Sequence, residues 1–473
     1  MKLTNSYTQL GDAFYQACLP ATVSKPSLLF WNTNLASKLG FEDLATEDAA
    51  LLFSGQALLE ESEPVALAYA GHQFGHYNPS LGDGRAHLLG ELHTAPNEIW
   101  DIQLKGSGRT RYSRRGDGLS ALGPAIREYL MSEAMAGLGV PTTRSLAVVG
   151  TGDQVMRQGF EAGGIVTRIA ASHLRVGTFQ YFSANGSKQD LENLLDFAIK
   201  RHYPHISTKA EDKVSQFLQA VVYKQIHTVS EWMRVGFIHG VMNTDNTTIS
   251  GETIDFGPCA MMGVYDPHTV YSSIDEQGRY SFGNQPWIMQ WNMARLAEAL
   301  LPLVDTDSDK AVAVLEPIIV GFSDKFKTAY YQMMASKFGL DTNEPPRDLI
   351  DTLLQAFLEK ELDYTRTFVS LTQSVANGKL VSALNFAPFD TWWNAVQESS
   401  NALEQMTAAN PLVIPRNHHV ESIIDQCVSE YNDKAAQAFL TVVGSPYQQL
   451  QDTSRYQDTP EDGDRYYQTF CGT

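Results

Sequence analysis

The spacing of apolar positions divides the chain into a strand-rich first part and a helix-rich second part. Residues 86–92 are apolar-rich; residues 98–105 alternate, with Trp100, Ile102 and Leu104 on one face and Asp101, Gln103 and Lys105 on the other. Period-two alternation of this kind predicts paired strands. A helix is predicted to begin near Pro124, which suits a first helical turn, and to stop at Gly137 or Gly139, which suits a left-handed cap. Residues 66–160 thus read as a small sheet carrying one helix. Further on, spacing such as Phe217, Val221, Val222, Ile226 and Val229 predicts amphipathic helices over 190–235 and 290–370, joined by a hairpin around 247–256. The first 60 residues read as an irregular, partly helical lead-in whose Phe30, Trp31, Leu35 and Leu39 pack on the body. From Ser445 the chain is rich in Gln, Asp, Tyr and Thr without apolar periodicity, as expected of a tail that drapes over the body or moves.

With 473 residues, 43% of them hydrophobic, the chain has mass for one large domain with additions or for a few compact units, which excludes disorder. Its 35 Lys+Arg against 54 Asp+Glu leave a net charge of −19, which argues against a general nucleic-acid coat and requires any anion site to be concentrated. Asn5, Gln9, Asp12 and Gln16 interrupt the start, so no export signal is expected, and no apolar run approaches the length of a membrane span. Four scattered cysteines (Cys18, Cys259, Cys427 and Cys471) form no Cys-x-x-Cys pair and fit a reducing cytoplasm.

Against that acidic background, the segment from Lys105 to Arg115 carries five cations and no acid. A strand-end lysine followed by small residues and arginines offers a point charge, backbone N–H groups and forked donors, which suit a polyphosphate; the bland alternative is a solvated basic loop. Upstream, Gly82-Asp83-Gly84-Arg85 is either a close-approach phosphate turn or an ordinary hairpin turn. Downstream, Glu128 on the predicted helix either pairs with Lys105 or is one more exposed glutamate. The order of glycine turn, strand lysine and helix glutamate is that of a protein-kinase N-lobe. The most specific segment runs from His239-Gly240-Val241 through Asp245-Asn246 to Asp255-Phe256-Gly257. Asn246 and Asp255 bracket the predicted hairpin as hard oxygen ligands for Mg²⁺. Val241 stands where a kinase has its catalytic aspartate, leaving Asp245 as the loop's carboxylate able to accept a hydroxyl proton. Arg168 and Arg175, seven residues apart, can share one helical face and clamp a phosphate, or lie on the surface. The His72-x-x-x-His76 pair lacks an accompanying acid or cysteine and reads as structural.

These motifs, with Tyr69-Ala70-Gly71-His72-Gln73-Phe74-Gly75, Gln103-Leu104-Lys105-Gly106-Ser107-Gly108, Arg127-Glu128 and Thr167-Arg168, resemble the selenoprotein O and bacterial YdiU family of kinase-like protein adenylyltransferases, mainly over residues 66–290. The resemblance implies an α+β, protein-kinase-like bilobal fold: an N-terminal extension (1–65), a small sheet-and-helix lobe (66–160), a helical lobe with catalytic loop and metal site (161–370), and a helical C-terminal extension with tail (371–473). It implies an inverted ATP whose α-phosphate meets a Ser, Thr or Tyr hydroxyl of a protein substrate, AMP being transferred and pyrophosphate released. Gly82, Gly84, Arg85, Lys105, Asp117, Gly118, Arg168, Arg175 and Asp255 would contact nucleotide, and Glu128 would orient Lys105. Asn246 and Asp255 would hold Mg²⁺, and Asp245 would accept the proton. Bacterial relatives extend this to uridylyl transfer from UTP with Mn²⁺. Family members often carry Sec or Cys near the C-terminus, in some paired with a cysteine on the loop after Asp-Phe-Gly. Here residues 266–285 hold no cysteine, Cys259 is the nearest partner for Cys471, and two free thiols are expected. The rival expectations are a conventional phosphotransferase using Asp245 and an ATP-binding scaffold without turnover. No nucleic-acid or membrane partner is expected; targets and oligomeric state are not encoded in any motif.

Overall fold

A computed structural model describes residues 2–95 and 98–470. Its centre is a seven-stranded sheet in the order β1-β3-β6-β7-β9-β8-β2, antiparallel at each pairing. The strands are β1 (Tyr15–Ala17), β2 (Ser27–Trp31), β3 (Val65–Leu67), β6 (Ala86–Ala95), β7 (Glu98–Lys105), β8 (Arg144–Met156) and β9 (Phe160–Ala170). Between β3 and β6, the short strands β4 (Gly71–Gln73) and β5 (His76–Asn78) form a separate hairpin.

Alternation along β7 decides which side meets what. Ile102 and Leu104 join Leu89, Leu146, Val149, Ile165 and Ile169 in a core covered by α1 (Thr33–Leu39) and α2 (Thr46–Phe53). The opposite face, carrying Gln103 and Lys105, meets α3 (Leu122–Gly137). Cross-strand partners share a face, so the pairing of Gln103 with Arg168 brings that arginine to the same side. Helix α3 keeps Pro124 in its first turn, and Gly139 beyond its end takes the left-handed conformation (φ 77°).

A helical region follows. It begins with α4 (Val176–Asn185), α5 (Lys188–His202) and α6 (Lys213–Val235); the last buries Phe217, Leu218, Val221, Val222, Ile226 and Val229 and ends at Gly236 in the left-handed conformation. Strands β10 (Phe237–Ile238) and β11 (Ala260–Met261) pair antiparallel, clamping both ends of the loop between them, and α7 (Gln285–Val304) packs against α4 and α6. Further helices reach to Val443; those between Phe322 and Ala409 enclose a second apolar core around Phe338, Phe357, Phe368 and Trp392.

Three expectations are corrected. The lead-in supplies β1 at one edge of the sheet and β2 at the other; strands of three and five residues are too short to show alternation. Residues 247–256 are not a hairpin: they run as an irregular segment held by single bridges, Thr253 to Thr142 and Thr248 to Arg175, and by side chains such as Thr248 and Ser250. Arg168 and Arg175 do not share a helical face. Arg168 lies on β9, between the β-branched run Ile165-Val166-Thr167 and Ile169, and Arg175 is the extended residue that caps α4.

Candidate active site

The site lies where the α3 face of the sheet meets the loop between β10 and β11. Lys105 Nζ donates to Glu128 Oε2 at 2.7 Å and also to Asp255 Oδ1. Arg168, 1% exposed, donates through Nε to Glu128 Oε1 (2.9 Å), through Nη2 to Asp255 Oδ1 (2.6 Å) and through Nη1 to Gln103 Oε1 (3.2 Å). Arg175 Nη1 donates to the Asp245 carbonyl (2.7 Å) and to Asp255 Oδ2 (3.2 Å), and its guanidinium lies 4.6 Å from the centre of the Tyr69 ring. Three cations thus converge on one carboxylate. Burial alone would raise Asp255, but Arg168, Lys105 and Arg175 hold it well below the usual carboxylate range. Burial opposes ionisation of Glu128 too, and Arg168 and Lys105 bring it below its ordinary value. Asp255 itself sits at φ 66°, a conformation that non-glycine residues seldom adopt.

Asp245 behaves oppositely. It is buried, Gln73 Nε2 donates to its Oδ2 at 3.3 Å, and its Oδ1 has no hydrogen-bond partner. Burial pushes its carboxyl up to about 6, with Arg175 pulling the other way. Asn246 Nδ2 donates to the Val241 carbonyl at 3.0 Å, which orients the amide and leaves Oδ1 as its metal-capable atom. His239 is buried and bonds the Ile254 carbonyl through Nε2 (2.9 Å), tying the start of the loop to the residue before Asp255. The β4–β5 hairpin docks on this loop through consecutive residues: His72 N donates to Thr244 Oγ1 (2.7 Å) and Phe74 N to Asn243 Oδ1 (3.1 Å). His72 also bonds Gln180 and joins no metal-type cluster with His76 among the described residues.

The donor set suits a hard divalent cation. Asn246 offers an amide oxygen and Asp255 a carboxylate, and beside them lies the orphaned Oδ1 of Asp245, a buried acceptor that a proton, a hydroxyl or an ion would satisfy.

The glycine turn lies next to this cluster. Asp83 Oδ2 accepts from Gln103 Nε2 (3.2 Å) and from Leu67 N (3.1 Å), and its Oδ1 is 3.8 Å from Arg175 Nη2. Gly82 (φ 67°) leaves room for the Tyr112 ring, which a Cβ there would strike at 2.2 Å. Through Tyr112 and through Thr110 Oγ1, which donates to the Asp83 carbonyl (2.7 Å), the basic loop folds down onto the turn around Gly84. The Arg85 carbonyl accepts from Gly106 N (2.7 Å). Arg109, Arg111, Arg114 and Arg115 are exposed on that loop. Gly118 packs on Gly108. Asp117 does not join the cluster: it pairs with Arg157 at 2.8 Å near the surface, and that bond lowers its carboxyl from the usual value. In the sequence Asp83 stands as a turn residue, and Tyr69 and Gln73 as members of a motif without an individual role. A carboxylate between two glycines, one strand away from Lys105, was the available signal for Asp83.

Compared with known proteins, the chain matches the family model described as Protein adenylyltransferase SelO over residues 1–443. The chain belongs to the SelO family. It is 53% identical to a protein nucleotidyltransferase YdiU of Teredinibacter turnerae and 50% identical to that of Pseudoalteromonas translucida, each match covering 100% of both chains. The counterpart in Anoxybacillus flavithermus is 49% identical over 99% of this chain and 98% of its own. Membership in the SelO family thus extends to the lead-in and most of the C-terminal helices, beyond the 66–290 region on which the motifs lie. Among the described residues no helix is long and apolar enough to cross a membrane. Cys18, Cys259 and Cys427 are free; Cys259 is buried, and Cys471 lies outside the described residues.

Proposed function

We propose that the chain is a protein nucleotidyltransferase that moves AMP from ATP, with UTP and UMP as a second pairing, to hydroxyl side chains of proteins. One observation carries the assignment. Lys105, Arg168 and Arg175 converge on Asp255, while the loop that should hold a kinase base has Val241 in its place and a buried, half-unpartnered Asp245 four residues on. Such a cation cluster has the charge to receive a triphosphate, and Glu128 keeps Lys105 and Arg168 aligned for it. Asn246 and Asp255 would hold Mg²⁺ or Mn²⁺, which, when bound, neutralises phosphate charge. Gly82, Gly84, Arg85, Gly118 and, at the rim, Asp117 would line the nucleotide.

In the transfer, the acceptor oxygen bonds to the α-phosphorus, the bridging bond from that phosphorus to the β-phosphate oxygen breaks, and pyrophosphate leaves. Asp245 Oδ1 takes the hydroxyl proton, a role suited to a carboxylate whose basicity is raised by burial. Arg175, bonded to the Asp245 carbonyl, ties the phosphate cluster to the base. A kinase-like bilobal arrangement is supported by the antiparallel sheet, its Lys105–Glu128 pair and the helical region beyond. In this scheme the small lobe extends through β9 to Ala170, 1–65 wraps it, and the helices beyond 370 form the C-terminal extension. The free cysteines support a reducing, cytoplasmic setting.

Parallel incubation with α-labelled and γ-labelled ATP and a protein acceptor tests this, with UTP alongside. Retention of the α label, abolished by Asp255→Ala, is expected. Retention of the γ label instead would assign conventional phosphotransfer to Asp245. Metal-dependent ATP binding with neither label retained would leave a scaffold.

A further inference from the structure

Away from the nucleotide cluster, the helix Asn417–Glu430 presents His418 and His419 in its first turn, facing Asp458 of the tail. One ligand atom from each of these three residues lies within 4.8 Å of the others. His419 Nε2 is 2.6 Å from Asp458 Oδ1, and His418 Nε2 is 3.4 Å from Asp458 Oδ2. The two imidazole rings are tilted by 39° with centroids 4.1 Å apart, and each turns its Nε2 toward that carboxylate. Both ring nitrogens of His418 are shielded from solvent and make no hydrogen bond, Nε2 having the 3.4 Å approach to Asp458 as its contact. A solvent-shielded ring nitrogen without a hydrogen bond is costly, and a cation between Nε2 and the facing carboxylate would remove that cost at one nitrogen.

The carboxylate side is also built in advance. On the residue before Asp458, Gln457 Nε2 donates to the Leu412 carbonyl (2.9 Å), and Gln457's own carbonyl accepts from Arg366 Nη1 (2.9 Å). Tyr456 is buried edge-on against His419 and against Phe439. The two residues before Asp458 are therefore fixed before any ion arrives, which lowers the ordering cost of binding.

We propose that His418, His419 and Asp458 form a binding site for a divalent transition ion, separate from the site at Asn246 and Asp255. Two imidazoles and a carboxylate suit a borderline ion such as Zn²⁺, whereas the amide and carboxylate of the nucleotide cluster suit Mg²⁺ or Mn²⁺. A tetrahedral Zn²⁺ with bonds of about 2.1 Å holds its ligand atoms about 3.4 Å apart. His418 approaches Oδ2 and His419 approaches Oδ1, so an ion held by one carboxylate oxygen requires small side-chain shifts from ligand atoms already within 4.8 Å of one another, with loss of the His419–Asp458 hydrogen bond. The fourth position is left to water. The ion would fasten the tail to the same helix whose Asn417 holds both backbone groups of Met261 on β11 (2.9 Å each). Its function is that of a clasp, and it is independent of which nucleotide is transferred.

The test uses the full chain, stripped with a chelator and titrated with Zn²⁺ against a chromophoric competitor in excess Mg²⁺. One equivalent is expected to bind, with loss of affinity of at least about tenfold in Asp458→Asn and in His418→Asn. Asp458 is 61% exposed, so its variant keeps the fold whatever happens to the histidine variants. Replacing Zn²⁺ by Co²⁺ should give a spectrum without thiolate charge-transfer bands. Binding of equal strength in Asp458→Asn, a thiolate signature, or no equivalent bound by the unaltered chain would each overturn the proposal. ATP labelling is not read in this experiment, so its outcome and that of the nucleotidyl assignment are separate.

Discussion

Arg175 bonds the carboxylate of Asp255 but only the backbone carbonyl of Asp245, and the surroundings of the two carboxyls drive their ionisation apart. Asp255 has three cationic partners and stays ionised; Asp245 has one weak side-chain donor and a shielded, unpaired oxygen. That difference makes Asp245 the group to titrate. In the unfolded chain its carboxyl titrates near the model-peptide value of about 4, and in the folded chain near 6. The native state therefore holds the proton more tightly, so this residue's contribution to stability falls as pH rises from about 4 and is fully lost above about 6. Asn cannot ionise. Asp245→Asn should accordingly be more stable than the unaltered chain at about pH 8, by on the order of 1–3 kcal/mol, with the gap closing as pH approaches 4. Urea unfolding of both proteins at several pH values measures it. The same variant should lose nucleotidyl transfer, and the unaltered enzyme should show an acid limb in kcat/KM near pH 6. A variant that is destabilised at every pH would show that Asp245 is structurally paired and not a strained base.

At the scale of elements, the base is located by close backbone contacts. A Cβ on Gly71 would lie 2.5 Å from Asp245 Oδ1, and one on Gly177 would lie 2.1 Å from the Ala70 carbonyl. At Gly71 the hairpin therefore packs directly on the Asp245 side chain, and at Gly177 the start of α4 packs on the backbone just before the hairpin. Gly71→Ala should displace Asp245 by a fraction of an ångström to an ångström and lower turnover by about 100-fold, since misplacement of that size is enough. Nucleotide affinity should change little, because Lys105, Arg168 and Asp255 are not in the contact; binding and single-turnover rates measured together separate the two. Equal losses in both would place the hairpin in nucleotide binding. This contact shows what the sequence could and could not reveal. Lys105 and Glu128 were legible because alternation fixes a strand face, and proline and glycine mark a helix. Asn246 and Asp255 were legible because their motifs are contiguous. Arg168 and Arg175 were recognised as a pair, but seven-residue spacing says nothing about helix when β-branched neighbours put the first on a central strand. The segment 247–256 looked like a hairpin because polar residues flanked a Ser-Gly turn; its backbone instead relies on Glu252, Thr248 and distant bridges, which leave no local pattern. Gly71 and Gly177 were unreadable, since what matters there is a neighbour a hundred residues away.

Across the whole molecule, the residue beside Glu128 connects the site to the end of the chain. Arg127 is buried with Nε donating to the Gly257 carbonyl (3.0 Å) and Nη2 to that of Cys259 (2.8 Å), so it holds the turn that follows Asp255. Its remaining donors reach Glu421 at 2.7 Å and the Tyr467 hydroxyl at 3.1 Å, and Tyr467 itself donates to Glu421. Two residues on, Thr469 Oγ1 donates to the Pro258 carbonyl (2.7 Å), while its backbone bonds Tyr271 (2.8 Å) and Ser273 (3.0 Å). The tail thus closes over the segment that follows Asp255, with a hydrogen bond to Pro258 and a backbone pair to Tyr271 and Ser273. Removing residues 463–473 should leave Arg127 its two carbonyls and Glu421, so the global melting temperature should fall only modestly. Hydrogen exchange over 257–275 should nevertheless accelerate, because each net hydrogen bond lost is worth about 1 kcal/mol, or roughly five- to tenfold in local opening. Arg127→Leu should do more: it leaves a buried and a half-buried carbonyl without this donor on the loop and should lower global stability as well. The order of the two variants is the diagnostic. If truncation leaves exchange over 257–275 unchanged while Arg127→Leu raises it, the tail merely rests on the loop, and Arg127 alone sets the position of Asp255.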